Sequence, residues 1–388
     1  MRGPLRTWAA FVPFLAVVLA VSCTVPAAPR ESAARAGGGP RAATSKLSPA
    51  NASFDLEKEG LKLLWPQELG QLTSNRRLRD IYSVEDLVVI EAGDGEVHCL
   101  DASTGIWKGT VVLTGALDRP PARLGSQVLF VVHNFIFAYD LATDSLSKPY
   151  NPLVALSQAP VVQHGDVFLL GGNGHVVKVL RDGSQELLVS LDAPIREEPV
   201  FAGGRLYASA WGDQVVALEP GSGSELWRWE PGRPSELTSG VAVSGETVFV
   251  GDDRGFVYAL GTSAAEPLGK IMLGAPVVGR PRVVGPNLLV LTSKPSLVCM
   301  ATADRGILWR YEGAEQLLTV GSRAAYVLTA GRSVAAVALE DGKELWSEPL
   351  PRGCKVKGDP DRPVLYLADT AGSIAALAEL DWYPPKPK

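Results

Sequence analysis

Short apolar runs, each fenced by Gly, Asp, Asn or Pro, recur at even intervals along most of the chain. They include Leu87–Ile90, Val128–Val131, Val167–Leu170, Leu206–Ala208, Val248–Val250, Leu288–Leu291, Ala325–Leu328 and Val364–Leu367. Their β-branched and aromatic content, brevity and flanking turn residues predict strands rather than helices. About ten residues after each comes a second run, and turn clusters such as Gly93-Asp94-Gly95, Gly171–Gly174 and Gly251–Gly255 separate the two. Such clusters are hairpin signals. Aligned on one position of the second run, the copies fall at Leu100, Tyr139, Val179, Leu218, Leu260, Met300, Leu339 and Leu377, in steps of 39, 40, 39, 42, 40, 39 and 38 residues. No stretch shows a useful helical period.

Each period supplies four short strands joined by hairpins. A sheet of that size cannot bury both of its faces alone, so it must stack on its neighbours, and a ring of stacked sheets has no free edge. The expected fold class is therefore all-β, an eight-bladed propeller of four-stranded antiparallel blades. The eighth copy ends near Asp381-Trp382 with little room for an outer strand. The stretch Leu56–Trp65 looks like the end of a repeat that has no beginning. The N-terminal strand is thus expected to close the last blade.

Residues 1–22 read as a signal peptide: Arg2 and Arg6 precede a mostly apolar stretch, Trp8–Val21, too short to span a bilayer comfortably. Ala20-Val21-Ser22-Cys23 resembles a bacterial lipobox, in which the Cys carries acyl chains, although Ala20 stands where Leu is commonest. An ordinary secretory signal with an incidental Cys is the other reading. Acyl chains on Cys23 would anchor the chain to a membrane; by resemblance to enterobacterial sorting rules, Thr24 in place of Asp favours the outer one. Residues 23–53, rich in Ala, Pro, Ser and Gly, read as a tether, and 54–388 as the propeller.

Net charge over the whole chain is −5, which argues against a general affinity for nucleic acid. The charge is segregated: the tether carries four basic residues and one acidic, the propeller 31 basic against 41 acidic, a net −10. A basic tether suits an anionic membrane. Besides Cys23 the cysteines are Cys99, Cys299 and Cys354, with no CxxC or vicinal pair, so no disulfide framework is implied. Cys99 and Cys299 stand where other copies have Ala and read as buried fillers.

The phrase Ala-Leu-(Asp/Glu)-x-x-(Thr/Ser)-Gly-x-x-x-Trp, clearest in Val215–Trp227 and Val337–Trp346, resembles the quinoprotein (PQQ-like) propeller repeat over about residues 54–383. The resemblance implies that the Trp of one blade docks near the turn of its neighbour, a role expected of Trp107, Trp227, Trp309 and Trp346. Quinone-dependent dehydrogenases of this group carry a vicinal cysteine ring over the cofactor and calcium ligands; neither pattern occurs here, so no cofactor is expected. In length, repeat number, lipobox and tether the chain is more similar to the BamB family, propeller lipoproteins of the outer-membrane β-barrel assembly machinery. That family's partner surface includes a loop of the form Leu-x-Leu-Arg-Gly-x-x-x-Pro following a Ser-Leu-Asp-x-Pro stretch. Ser190–Pro199 keeps Arg196 and Pro199 but has only Ile195 in place of the leucines. A second, acidic family loop is matched at Ser235–Thr238 by Glu236 alone.

Other constellations point to no chemistry. His98, His133, His164 and His175 occupy non-equivalent places, so neither a metal site nor a catalytic residue is expected. Glu197-Glu198 and Asp252-Asp253 read as solvated turn charge, and Arg76, Arg77 and Arg79 as a basic edge or a contact for an acidic partner or lipid. The chain is expected to be a monomeric, non-enzymatic scaffold, held by a lipid anchor at the periplasmic face of the outer membrane. Its partner would be a protein, the β-barrel insertase or its client, with Arg196 and Glu236 as contacts. A periplasmic propeller binding a small ligand or quinone, with oxidoreductase activity, is the alternative, as is a secreted or cell-surface location.

Overall fold

The computed structural model describes residues 59–69, 78–180, 182–191, 193–195, 197–210, 214–232, 234–370 and 372–383. The expected signal segment, Cys23, the tether, Arg76, Arg77 and Arg196 lie outside the described residues. Among those described, thirty-two strands form eight four-stranded antiparallel sheets, the all-β propeller read from the repeat.

In blades 1 to 7 the four strands follow one another in sequence; blade 1, for example, is Leu78–Val84, Leu87–Ala92, Glu96–Asp101 and Trp107–Val112. First strands of adjacent blades touch one another, Leu78–Val84 meeting both Arg119–Leu124 and Lys355–Gly358. They therefore gather around the axis, and the fourth strands form the rim.

Each of the eight apolar clusters is shared by two adjacent blades. Trp65, Ile90, Leu100 and Tyr366 join blade 8 to blade 1, and Val89, Cys99, Phe130 and Tyr139 join blade 1 to blade 2. The remaining six seams are filled in the same way. Middle strands are covered on both faces, which is why they read as unbroken apolar runs: every residue of Leu87–Ala92, Gln214–Leu218 and Val364–Ala368 is buried. Burying one such Leu or Val contributes about 1.5–3 kcal/mol. Rim strands such as Pro267–Met272 are largely exposed.

Blade 8 is closed by the chain's own beginning. Leu61–Glu68 pairs antiparallel with Ser373–Glu379, from Leu61 opposite Glu379 to Glu68 opposite Ser373, with a bulge between Leu63 and Trp65. The strand runs on beyond Trp65 through Pro66, which is tolerated because a rim strand has one unpaired edge.

The tryptophan expectation holds at three of its four positions and fails at the fourth. Trp227 Nε1 donates to Thr262 O at 2.8 Å, Trp309 Nε1 to Leu339 O at 2.8 Å and Trp346 Nε1 to Glu59 O at 2.8 Å, each reaching the next blade. Trp65 does the same, to Ala102 O at 3.0 Å. Trp107 instead turns back within its own blade, donating to Thr110 Oγ1 at 2.9 Å and lying 4.9 Å from the His98 ring. The register gives the reason. Docked tryptophans lie opposite Ala217, Cys299, Ala336 and Ala376, whereas Trp107 lies opposite Leu100, and Gly109 takes the docking position opposite Cys99. The same pairing shows that Val337, opposite Ala325, is blade 7's counterpart of Leu218, opposite Leu206. Leu339 lies two residues beyond it.

Candidate docking face

Antiparallel strands place the loops leading from one blade to the next, and the hairpins between second and third strands, on one face of the ring. Both loops singled out in the sequence lie there. In each, a buried apolar residue pins the loop by a bridge to the next blade: Ile195 to Ala210 and Leu237 to Asp252, as Leu156 does to Gly171. Ile195 and Leu237 are buried to within 1%, so the leucine-like residue of the first loop serves as an anchor.

Side-chain hydroxyls tie successive loops together. Ser157 Oγ donates to Ile195 O at 2.7 Å, Ser209 Oγ to Ser239 O at 3.0 Å and Thr238 Oγ1 to Val277 O at 2.7 Å. Against this belt the tips are polar. Glu236 is exposed, and its backbone is fixed on both sides by Asp253, whose Oδ1 accepts the Glu236 N–H at 2.9 Å and whose N–H donates to Glu236 O at 2.8 Å.

The neighbouring acidic pairs are less solvated than the sequence suggests. Asp252 is fully buried; its carboxylate accepts the N–H groups of Arg254 at 3.0 Å and Phe256 at 2.7 Å and the Tyr258 hydroxyl at 2.9 Å. It shapes the hairpin, a capability of Asp in turns. Burial, reinforced by Asp252, pushes the Tyr258 phenol up. Glu197 is half-buried, and burial, helped by the adjacent Glu198, raises its carboxyl above the usual range against the pull of Arg280. Glu198 remains exposed, 3.9 Å from Arg280 Nη1. Gly240 separates Glu197 from Arg280; a Cβ there would stand 2.8 Å from Glu197 and 3.2 Å from Arg280. Arg280 belongs to the first strand of blade 6, Val277–Val284, so this polar row runs from blade 4 to blade 6. Sequence reasoning missed it; an Arg between Gly279 and Pro281 in an axial strand is the signal that was available.

Among the described residues, no three His, Cys, Asp or Glu side chains converge to hold a metal. Cys99, Cys299 and Cys354 are free, buried thiols in blades 1, 6 and 8. Burial pushes Cys99 up to about 12 and Cys299 up to about 11, far from the thiolate that redox or nucleophilic chemistry requires.

A family model described as "Outer membrane protein assembly factor BamB" matches residues 138–233 and 211–358, more than half of the chain. The chain belongs to the BamB family. Relatives bearing that description include those of Legionella pneumophila (strain Paris), 24% identical over 217 residues, 55% of this chain and 48% of the relative, and of Nitrosomonas eutropha, 29% identical over 133 residues, 34% and 32% respectively. That of Escherichia coli (strain K12) is 31% identical over 93 residues, 22% of this chain and 24% of the relative. The chain thus spans about half or less of the length of the curated relatives it matches. BamB from Moraxella catarrhalis superimposes with a TM-score of 0.65 at 12% identity, covering 84% of this chain and 99% of that one. The computationally designed Ika8 protein superimposes at 0.60 and 14% identity, over 82% and 100%. Both likenesses are of fold.

Proposed function

We propose that this BamB-family chain is a membrane-anchored, non-enzymatic scaffold that assists outer-membrane protein assembly. The observation that carries the reading is the docking face: polar loop tips on buried anchors, Ile195 and Leu237, in a ring whose relatives are named as assembly factors. Loops pinned by buried anchors have less freedom to lose on binding, which suits docking. In this reading Arg196 and Glu236 contact the protein partner, the β-barrel insertase or its client. The propeller is monomeric, and Cys23 carries the lipid that holds it at the periplasmic side of the outer membrane after residues 1–22 are removed. No nucleic acid, metal or cofactor takes part.

Crosslinking in intact membranes, recovery of the chain and mass spectrometry of what comes with it test this. Insertase components are expected, and Arg196→Ala with Glu236→Ala should lower their recovery at an unchanged melting temperature. Cys23→Ser should release the chain from membranes. Recovery without any insertase component, or a redox absorbance in the purified protein, would overturn the scaffold reading in favour of the ligand-binding one.

A further inference from the structure

The docking face carries a second feature, on the far side of the axis from Ile195 and Leu237. Arg332 lies in the second-to-third hairpin of blade 7, Arg352 in the loop into blade 8, Lys355 at the head of that blade's first strand, and Arg79 near the head of blade 1's first strand. Backbone contacts make them contiguous. Arg332 Nη2 donates to Cys354 O at 3.3 Å, Arg332 O accepts the Leu350 N–H at 2.8 Å, and Lys355 Nζ donates to Arg79 O. All four are exposed. Arg79 keeps 59% of its side chain in solvent even though its Nε lies 3.1 Å from Glu91. Beneath the cluster Glu91 and Asp369 are buried at 1% and 6% exposure; of the other acids nearby, Glu68, Glu312 and Glu348 lie outward on rim strands and the exposed Glu315 at the head of blade 7's first strand.

Four cations on adjoining loops and strand heads repel one another, and here they do so on a propeller whose net charge is −10. Charges gathered against the sign of the whole body suit a partner of opposite charge. We infer that this sector, spanning blades 7, 8 and 1, is a docking surface for an extended acidic segment of a partner polypeptide. A polypeptide fits better than a bilayer because of where the preceding chain leaves the ring. Gly60 O accepts the Leu380 N–H at 2.9 Å and Glu59 O accepts Trp346 Nε1 at 2.8 Å, both on the opposite face. An anchor carried by that chain would therefore not by itself hold this sector against a bilayer. The inference extends the scaffold reading without using Arg196 or Glu236.

The test is fluorescence anisotropy of a labelled dodecapeptide alternating Glu and Gly, titrated with the full chain in non-ionic detergent at low salt. Saturable binding is expected, weakened about tenfold or more by Arg352→Glu with Lys355→Glu. It should fade as the Debye length falls to about 8 Å near physiological ionic strength. Should the reversed pair fail to fold, Arg352→Gln with Lys355→Gln is the substitute, with a severalfold loss expected. Arg323→Glu with Lys343→Glu, on the opposite face, should change nothing. Absence of binding, equal loss from both faces, or displacement by phosphatidylglycerol micelles more effective than by unlabelled peptide would overturn the proposal. Peptide binding that persists in a chain recovering no insertase would sink the partner identity while leaving this surface standing.

Discussion

The two seams on either side of blade 1 fill the same kind of space in opposite ways. Between blades 8 and 1, the rim strand of blade 8 supplies the bulk. Trp65 lies against the turn of blade 1, where Gly105, at φ +69°, leaves room: a Cβ there would stand 2.6 Å from the indole. Between blades 1 and 2, the rim strand of blade 1 supplies nothing at the equivalent place. Gly109 stands there, and the ring comes from the receiving blade, as Tyr139 in a third strand whose counterparts are Leu, Val or Met. A Cβ on Gly109 would meet the Tyr139 hydroxyl at 2.2 Å, and that hydroxyl donates to Asp144 Oδ1 at 2.5 Å. The period fixes where a seam must be filled, but either neighbour can provide the aromatic group.

Removing residues 61–68 strips blade 8 of its fourth strand and takes away Trp65 with it. Loss of a cooperative unfolding transition, followed by circular dichroism, is the expected and largest effect; a melt like that of the intact chain would mean that the seam at blade 8 is dispensable. Trp65→Ala alone should lower unfolding free energy by about 3–5 kcal/mol in urea titrations. Trp107→Ala, at a side chain 39% exposed that docks on no neighbour, should change it by less than about 1 kcal/mol. Similar losses from the two would erase the contrast.

Gly109→Ala is expected to lose about 1–3 kcal/mol through overpacking against Tyr139. Most of that loss should vanish in a Tyr139→Leu background, measured as a double-mutant cycle, and additivity there would refute the exchange of bulk between blades. The smallest effect is electrostatic. Burial opposes ionisation of Asp101, but hydrogen bonds from the Ser103 and Thr104 hydroxyls and the Thr104 N–H, with Lys108 nearby, lower its carboxyl to about 2. A depressed carboxylate stabilises the fold above its unfolded value, near 4, and that contribution is lost as pH falls from there toward 2. Urea midpoints of the native chain should decline across that window, and Asp101→Asn should flatten the decline.

The number of blades and the closing strand were legible because strand period and turn chemistry repeat whatever the details of packing. The docking of individual tryptophans was not. In Trp227, Trp309 and Trp346 the indole follows the third-strand Leu218, Met300 or Val337 by nine residues, while Trp107 follows Leu100 by seven. The Ala338-Leu339 pair imitates the repeat's Ala-Leu, so aligning on Leu339 gives Trp346 the spacing of Trp107 and hides the difference. Strand pairing separates them: the bulge falls at the same place in each blade, and Trp107 stands two residues before the docking position. At the docking face, Glu236 was legible as an exposed acid, but Asp252 was not legible as a buried one. A turn aspartate that faces inward has the same sequence as one that faces solvent, and strand pairing decides between them.

Leu61 faces Glu379 across the closing pair. Nearly the entire ring must therefore be synthesised before its first strand has anywhere to go. Pairing over so long a separation makes folding slow, since closing a large loop is entropically unfavourable until the contacts form. Until the last strand arrives, the ring stays open at blade 8, with Leu61–Glu68 waiting for its partner.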